Sequence, residues 1–355
     1  MRQGLPRAVR LYICAVAAVA GAATAAWLAL WGGPAPTAPT SVFLLLTLGA
    51  LTVVSAQFAL HLTGGFNVDL VTAIMFAALL LFGPPAAMLL VGSCYALGLT
   101  ILGVRLRLAH SRLRRSWRNI LFNASQIVIT TAVGGLVYFA FLPHQVPAPQ
   151  ERIENLWAVP LAAIAMFVTN TWLVAIVAGL QRGVSPLEIW LATRKREVLH
   201  EAGLFLLGLV TARTAQNDPW VPLVMVLPAA IIYLSTKRYV QLIEQTIGAV
   251  EALADVVDRR DPYTFEHSKR VAEYAQRIAR AMKLPGEEVE QIRLAARVHD
   301  LGKIGVPNHV LHKEGALSDQ EWAVMRNHPD MGYEILAKFP EYRIGRELVR
   351  SHHER

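Results

Sequence analysis

The sequence predicts an all-α protein, in which a polytopic membrane helix bundle precedes a helical domain on the cytoplasmic side of the membrane. Hydrophobic residues make up 54% of the 355 residues and charged residues only 17%, which is below the quarter that soluble proteins usually carry. The net charge of +8 arises entirely before residue 236, where apolar runs alternate with basic segments. After that point the apolar residues follow helical spacing, and no strand-like run interrupts them.

Eight apolar runs account for the membrane bundle, and most of them reach the ~20 residues that cross a bilayer core about 30 Å thick. The first run follows three arginines, but it is long for the apolar core of a signal peptide, so we expect it to remain as a helix. The third and seventh runs are short, which leaves a count of seven spans open. The runs lie at about residues 11–31, 41–62, 65–82, 85–104, 120–142, 156–180, 198–214 and 219–235.

Basic residues between the runs give the orientation in the membrane. The loop segments 105–118 and 193–197 and the pair Lys237-Arg238 are basic, whereas 32–40 carries no charge and 143–154 is slightly acidic. Arg and Lys remain on the cytoplasmic side. Eight spans therefore place every basic segment and both chain termini in the cytoplasm.

A few polar side chains fall inside the apolar runs. They either mark a functional pathway through the membrane or form hydrogen bonds between helices. We favour hydrogen bonds, because no transport or cofactor motif accompanies them. These residues are Gln57, His61, Asn123, Gln126 and Asn170.

Segment 236–260 connects the two parts of the chain. Its apolar residues at positions 240, 243, 247, 250, 254 and 257 are spaced alternately three and four apart, which is the 3.5-residue period of a coiled-coil seam. Either this seam forms a parallel homodimer, or one face of the helix packs against the domain that follows. The sequence leaves both interpretations open.

The remaining residues predict short amphipathic helices. Asp261-Pro262 opens the first, with proline in the permitted first turn, and Pro285 opens the next. Ser318 and Glu321 have the spacing of a capping box at the start of a third helix.

Histidines and one aspartate recur along this helical region in four places. Imidazole together with carboxylate suits divalent Fe, Mn, Co, Ni or Zn. A set of six ligands exceeds one closed site, so two ions are expected, and a two-metal site can activate water and stabilise a phosphate displacement. A lone histidine is more often structural, and we place His309 and His312 in that class. The candidate ligands are His267, His299, Asp300, His328, His352 and His353.

Four segments around these residues resemble successive motifs of the HD-GYP family, a branch of the HD-domain metal phosphohydrolases. They are DPYTFEHSKRVAEYA, HDLGKIGVPNHVLHKEGALSDQEW, MRNHPDMGYEIL and VRSHHER. The resemblance covers about residues 261–355, so it leaves the membrane half unassigned. It implies a helical HD-type domain that hydrolyses cyclic di-GMP to pGpG or GMP.

The same resemblance implies roles for individual residues. His267, His299 and a bridging Asp300 would hold one metal, and His328, His352 and His353 would complete the second. Lys303 would contact the substrate phosphate. Tyr263 stands where some members carry a glutamate that supports a third metal, so we expect two ions, Fe or Mn, and not three. The family continues into a Gly-Tyr-Pro motif beyond Arg355, so we expect an incomplete domain, and this chain alone to be an inactive fragment of a longer protein.

The expected organisation is a transmembrane sensor at 1–235, a connector at 236–260 and an HD-GYP-like domain at 261–355. The expected function is that of a signalling phosphodiesterase in the bacterial inner membrane. Its partners would be cyclic di-GMP, the lipid bilayer and a second copy bound through the connector, with no nucleic-acid polymer. The alternatives are a phosphohydrolase acting on another nucleotide such as cyclic di-AMP, and a catalytically inactive membrane receptor or scaffold.

Overall fold

The computed structural model describes residues 6–31, 38–57, 60–62, 66–68, 70–108, 116–140, 157–224, 226–260, 267–282, 284 and 286–354. These residues form two compact units, unit 1 (Met1–Leu234) and unit 2 (Ser235–Arg355). Helices dominate both units, so the predicted all-α class is confirmed. One short antiparallel ribbon of two strands is the exception among the described residues.

Unit 1 consists mainly of long apolar helices. They are α1 (Arg7–Leu30), α2 (Pro39–Ser55), α3 (Val71–Phe82), α4 (Pro84–Leu108), α5 (Trp117–Ala140), α6 (Ala158–Arg182), α7 (Pro186–Ala215) and the short α8 (Val221–Val224). The ribbon pairs β1 (Leu60–Leu62) with β2 (Phe66–Val68), and His61 faces Asn67 in its register.

Six helical segments of the described chain are long and apolar enough to cross a membrane, and the sixth of them runs from α8 into the following helix. Helices α2 and α3 are apolar but shorter, at 17 and 12 residues. The prediction of a helical membrane bundle is thus supported, with two of the eight runs too short by this criterion.

Two local predictions were wrong. The second and third runs were expected to be helical from 41 to 62 and from 65 to 82, but the ribbon occupies part of both. Apolar residues suit strands as well as helices, and the sequence between the strands contains two glycines, which favour a hairpin. Segment 193–197 was expected to be a loop, but it lies inside α7. Its Arg, Lys and Glu are good helix formers, and no Gly or Pro interrupts them.

Helix α3 lies at the centre of unit 1. All of its residues are buried, and it packs against α2, α4, α5 and α7. A helix that is apolar on every side needs such surroundings. Polar side chains then join neighbouring helices, as predicted. Gln57 Nε2 donates to the Gly98 carbonyl oxygen at 2.5 Å, and the Gln126 amide donates to Asn170 Oδ1. The side chain of His61 lies outside the described residues.

Unit 2 contains the C-terminal part of α9 (Val226–Arg260), followed by shorter helices. These are α10 (His267–Ala281), α11 (Gly286–Val298), a 3₁₀ turn (Leu301–Gly305), α12 (Asn308–Leu311), α13 (Asp319–Arg326), α14 (His328–Leu336), a second 3₁₀ turn (Pro340–Tyr342) and α15 (Gly345–Arg350). The predicted capping box is confirmed, because Ser318 and Glu321 each bond to the other's backbone amide. The predicted helix start at Asp261-Pro262 lies outside the described residues, as does Pro285.

The C-terminal half of the α9 seam belongs to the core of unit 2. Val250, Ala254 and Val257 are almost fully buried in a cluster with residues of α11, α14 and α15. Two ion pairs fasten α9 to α11: Arg297 lies 2.6 Å from Asp255, and Arg293 lies 3.0 Å from Glu251. Of the two interpretations of the seam, the structure therefore has a helix that packs one face on its own domain.

Candidate metal centre

The six predicted ligands come from the ends of four helices. His267 begins α10, His299 and Asp300 follow α11, His328 begins α14, and His352 and His353 follow α15. Five of the six, with Lys303, line one cleft of about 620 Å³. The sixth is His352, whose ring centroid lies 5.1 Å from that of His299 and 5.2 Å from that of His328.

Asp300 lies at the centre of this group and is nearly buried. Its Oδ1 is 3.3 Å from His328 Nε2 and 3.8 Å from His352 Nε2. Its Oδ2 is 3.5 Å from His299 Nε2 and 2.9 Å from Lys303 Nζ. One carboxylate thus faces three imidazoles and an ammonium group.

Three of the histidines are oriented in the same way by the backbone. Nδ1 of His299, His328 and His352 lies 3.0, 2.8 and 2.6 Å from the carbonyl oxygen three residues earlier in the chain. A carbonyl oxygen only accepts, so each Nδ1 carries the proton and each Nε2 offers a lone pair. Histidines that bind metals in proteins are held in this manner.

The converging lone pairs suit a cation. Nε2 of His328 and Nε2 of His352 are 3.3 Å apart, and two lone pairs at that distance repel unless a proton or a cation lies between them. Burial lowers the pKa of His352 to about 4, and the neighbouring imidazoles lower it as well, although the contact with the Val349 carbonyl opposes them. Protonation is therefore disfavoured at neutral pH, and the donors fit a divalent ion.

The charge of Asp300 is maintained by its neighbours. Burial opposes ionisation, but the contact with His328, the positive charge of the His299 ring when it is protonated and the charge of Lys303 outweigh it. They hold the pKa of the Asp300 carboxyl well below its usual range. The centre therefore combines imidazole nitrogens with an anionic oxygen, which is a ligand set for borderline transition metals.

Two overlapping groups have ligand atoms close enough for an ion: His328, His352 and His353, and also His299, Asp300 and His352. His267 lies beside them, with its ring centroid 5.5 Å from that of His299. The two histidines expected to be structural lie elsewhere. His309 is exposed, and His312 Nε2 contacts the carbonyl oxygen of Arg260.

The sequence analysis missed one wall of the cleft. This wall consists of four residues that do not belong to the predicted ligand set, namely Trp322, Met325, Arg326 and Pro329. Their signal in the sequence is spacing, since positions 322, 325 and 326 share one face of a helix that ends just before His328. It also missed Gly302, which lies against the backbone of α14.

Comparison with known proteins assigns the C-terminal region. Residues 264–355 match the family model described as HD domain. This part of the chain therefore resembles the HD-domain phosphohydrolases. The candidate ligands all lie within the HD domain, and the resemblance found in the sequence is confirmed at that level. Residues 41–217, which the sequence analysis left unassigned, match a second family model, MASE9.

Several curated proteins resemble the chain. Among them are 3′3′-cGAMP-specific phosphodiesterase 2 of Vibrio cholerae, 38% identical over 33% of this chain and 23% of that protein, and phosphodiesterase 3 of the same specificity and species, 32% identical over 51% and 38%. A third is a cyclic di-GMP phosphodiesterase of Thermotoga maritima, 37% identical over 30% and 29%. The chain thus spans well under half the length of these relatives. The match to phosphodiesterase 3 covers more residues than unit 2 contains, so it extends beyond the HD domain into unit 1.

Proposed function

We propose that this protein is a membrane-anchored, metal-dependent phosphodiesterase that hydrolyses cyclic di-GMP to pGpG or GMP. The observation that carries the proposal is the convergence of three Nε2 atoms on Asp300, each ring held by a backbone carbonyl at its other nitrogen. The names of the related phosphodiesterases supply the substrate class.

Each residue of the centre has a proposed role. His267 and His299 would hold one ion, and His328, His352 and His353 the other, with Asp300 shared between them. Two ions such as Fe or Mn supply an activated water molecule and neutralise charge on the phosphate when bound.

Lys303 would orient the substrate. Its Nζ lies 2.9 Å from Asp300 Oδ2, so its ammonium group is held beside Asp300 in the cleft. A compact positive charge there can contact a phosphate oxygen by a charge-assisted hydrogen bond. We therefore assign Lys303 to binding the phosphate and offsetting the negative charge that develops as a water oxygen bonds to phosphorus and the 3′ oxygen leaves as the hydroxyl.

The first 235 residues would form the membrane sensor, in the bacterial inner membrane with both termini cytoplasmic. Basic residues near the ends of the apolar helices support this orientation. Residues 236–260 would connect the sensor to a phosphodiesterase domain at 261–355. Two family matches in one chain, one to each part, support such an arrangement.

A homodimer would use the other face of α9. The C-terminal half of its seam side is occupied by the core of unit 2, but a second stripe with alternating spacings of three and four remains available along the helix. The large apolar members of this stripe are exposed. The stripe comprises Tyr239, Leu242, Thr246, Ala249, Leu253 and Val256.

Turnover assays test the activity. The full-length protein, purified in detergent and loaded with Mn²⁺ or Fe²⁺, is incubated with cyclic di-GMP, 3′3′-cGAMP and cyclic di-AMP, and the products are separated by chromatography. We expect cyclic di-GMP to be cleaved, and Asp300→Asn to lower turnover by at least ~100-fold. His309→Ala is the matched control, since His309 is exposed and lies outside the cleft.

The other outcomes are informative. Cleavage of 3′3′-cGAMP in preference to cyclic di-GMP would change the assigned substrate to the one named for two Vibrio relatives. Cleavage of cyclic di-AMP alone would favour the other nucleotide hydrolases. Absence of both bound metal and turnover would leave a membrane receptor or scaffold and would refute the proposal.

A further inference from the structure

The cleft beside the metal centre has a wall of unusual composition. Helix α13 contributes Trp322, Met325 and Arg326, and Pro329 follows at the start of α14. No residue of α13 is buried, and Trp322 is 45% exposed. Met325 packs partly against a small apolar cluster under the helix, but Trp322 is not a member of that cluster. Core packing therefore does not explain this indole.

Arg326 lies next to Trp322, and its charge is available to the cleft. Its guanidinium carbon is 5.6 Å from the centroid of the indole ring, which is within the range of a cation–π contact. Other arginines of unit 2, such as Arg297 and Arg350, pair with carboxylates at short distances. Within the part of the chain that the structure describes, no carboxylate pairs with Arg326.

The chemistry of this wall matches a nucleobase. An exposed indole offers a flat surface on which purines stack, and stacking tolerates any base because every base has a π face. A guanidinium group beside it can donate two parallel hydrogen bonds to O6 and N7 of guanine, which adenine cannot accept in the same way. The cleft has the volume of a typical small-molecule site, and the candidate metal ligands line the same cleft as the indole.

We propose that Trp322 and Arg326 form a purine platform at the mouth of the metal centre. Trp322 stacks on one base of the cyclic dinucleotide, and Arg326 holds the O6/N7 edge of that base, which selects guanine over adenine. The platform rests on the proposed function, because it assumes that the phosphate of the same ligand lies at the metal centre. It adds the residues that recognise the base.

Binding of GMP tests the platform without any turnover. GMP carries the guanine base and a phosphate but has no phosphodiester bond to cleave. AMP and inorganic phosphate serve as the probes with the wrong base and with no base. Dissociation constants are measured by calorimetry on the full-length protein in detergent, loaded with Mn²⁺, for the wild type and for Trp322→Ala, Trp322→Phe and Arg326→Ala. Val324→Ala is the matched control, because Val324 is on α13 but does not line the cleft.

Trp322→Ala should weaken GMP binding by roughly 5- to 150-fold, the range expected from losing one stacked base. Trp322→Phe, which keeps an aromatic ring, should retain most of the wild-type affinity for GMP. Neither change, nor Val324→Ala, should alter the binding of inorganic phosphate. Arg326→Ala should weaken GMP binding by a similar factor and remove the preference for GMP over AMP.

Equal affinity of wild type and Trp322→Ala for GMP would overturn the platform, and so would a parallel loss of phosphate binding, which would place the effect in the metal centre. Absence of GMP binding by the wild type would overturn it as well. If the protein cleaves no cyclic dinucleotide but Trp322→Ala still weakens GMP selectively, the proposed function fails while the platform stands.

Discussion

One methyl group added at residue 302 should disrupt the metal centre. Gly302 is buried in the 3₁₀ turn that follows Asp300. A Cβ atom there would lie 1.8 Å from the carbonyl oxygen of His328 and 2.6 Å from the backbone nitrogen of Gly332. Non-bonded carbon atoms need about 3.5 Å from their neighbours, so either α14 or the turn must move by more than an ångström.

The magnitude follows from what would have to move. Both blocking atoms belong to the backbone, so no side chain can rotate away. Overpacking costs about 1–3 kcal/mol and occasionally more, and we expect Gly302→Ala to lie at the upper end, near 3 kcal/mol. The displaced segments carry His328 and Asp300, whose ligand atoms are 3.3 Å apart. Metal affinity should therefore fall as well, by roughly 10- to 100-fold.

The same substitution should have the opposite effect at Gly248. This residue lies in α9, and a Cβ atom there meets nothing within 4 Å. Alanine is favoured over glycine inside a helix by about 1 kcal/mol. Gly248→Ala should therefore stabilise unit 2 slightly and leave the metal centre intact.

Thermal unfolding of the full-length protein in detergent measures the change in stability. The metal content of the protein after dialysis against Mn²⁺ measures the change in metal affinity. A loss near 3 kcal/mol corresponds to a fall of roughly 10 °C for a unit of this size. If Gly302→Ala unfolds within about 1 °C of the wild type and retains its metal, the close contact between the turn and α14 does not exist, and the reasoning fails.

Three further predictions concern α9. Asp258→Ala should lower the free energy of unfolding by about 2 kcal/mol and weaken metal binding, because buried Asp258 accepts hydrogen bonds from the amide and hydroxyl of Ser268, next to His267. Chemical denaturation and metal titration measure these two effects. Exposed Glu244→Gln is the control and should change neither the stability nor the metal affinity. Val257→Ala should cost about 2 kcal/mol and exposed Gln245→Ala, on the same helix but outside the seam and the stripe, under about 0.5 kcal/mol; equal denaturation midpoints would contradict the packing of the seam. Leu253→Asp should convert the proposed homodimer to a monomer in light scattering, and a mass unchanged by the substitution would remove the stripe from consideration.

The sequence could predict the features that follow from composition and spacing. Apolar runs mark membrane helices because side chains that face the lipid must be apolar. The Ser318 capping box is a local pattern in which side chains bond to unpaired backbone amides. The grouping of the candidate ligands was also predictable, because imidazoles and a carboxylate in four successive segments fit one metal-binding cluster. The hairpin and the helical segment 193–197 were not, since hydropathy separates apolar from polar residues rather than strand from helix.

Other features depend on tertiary contacts, and no single segment encodes them. The seam of α9 has the same spacing whether it packs on a second copy or on α11. The Nδ1 contacts of the three histidines arise because each ring stands at a helix end, where it can reach a carbonyl three residues back. The roles of Gly302 and Trp322 can be recognised only in the folded structure, where α14 lies against the turn and α13 lines the cleft.

The C-terminal end of α9 contacts segments on both sides of the candidate metal centre, which gives the proposed connector a physical basis. Asp258 holds the start of α10 through Ser268. Arg260 donates to Asn308 Oδ1 at the start of α12 at 2.6 Å, and to the carbonyl oxygen of Ile304 at 3.4 Å, which follows Lys303 in the same 3₁₀ turn. Because one short stretch of helix fixes the segments of His267 and Lys303, we expect any displacement of that stretch to change the distance between them first. A probe pair on these two segments whose separation did not respond when Asp258 and Arg260 were both replaced by alanine would leave α9 as an anchor and nothing more.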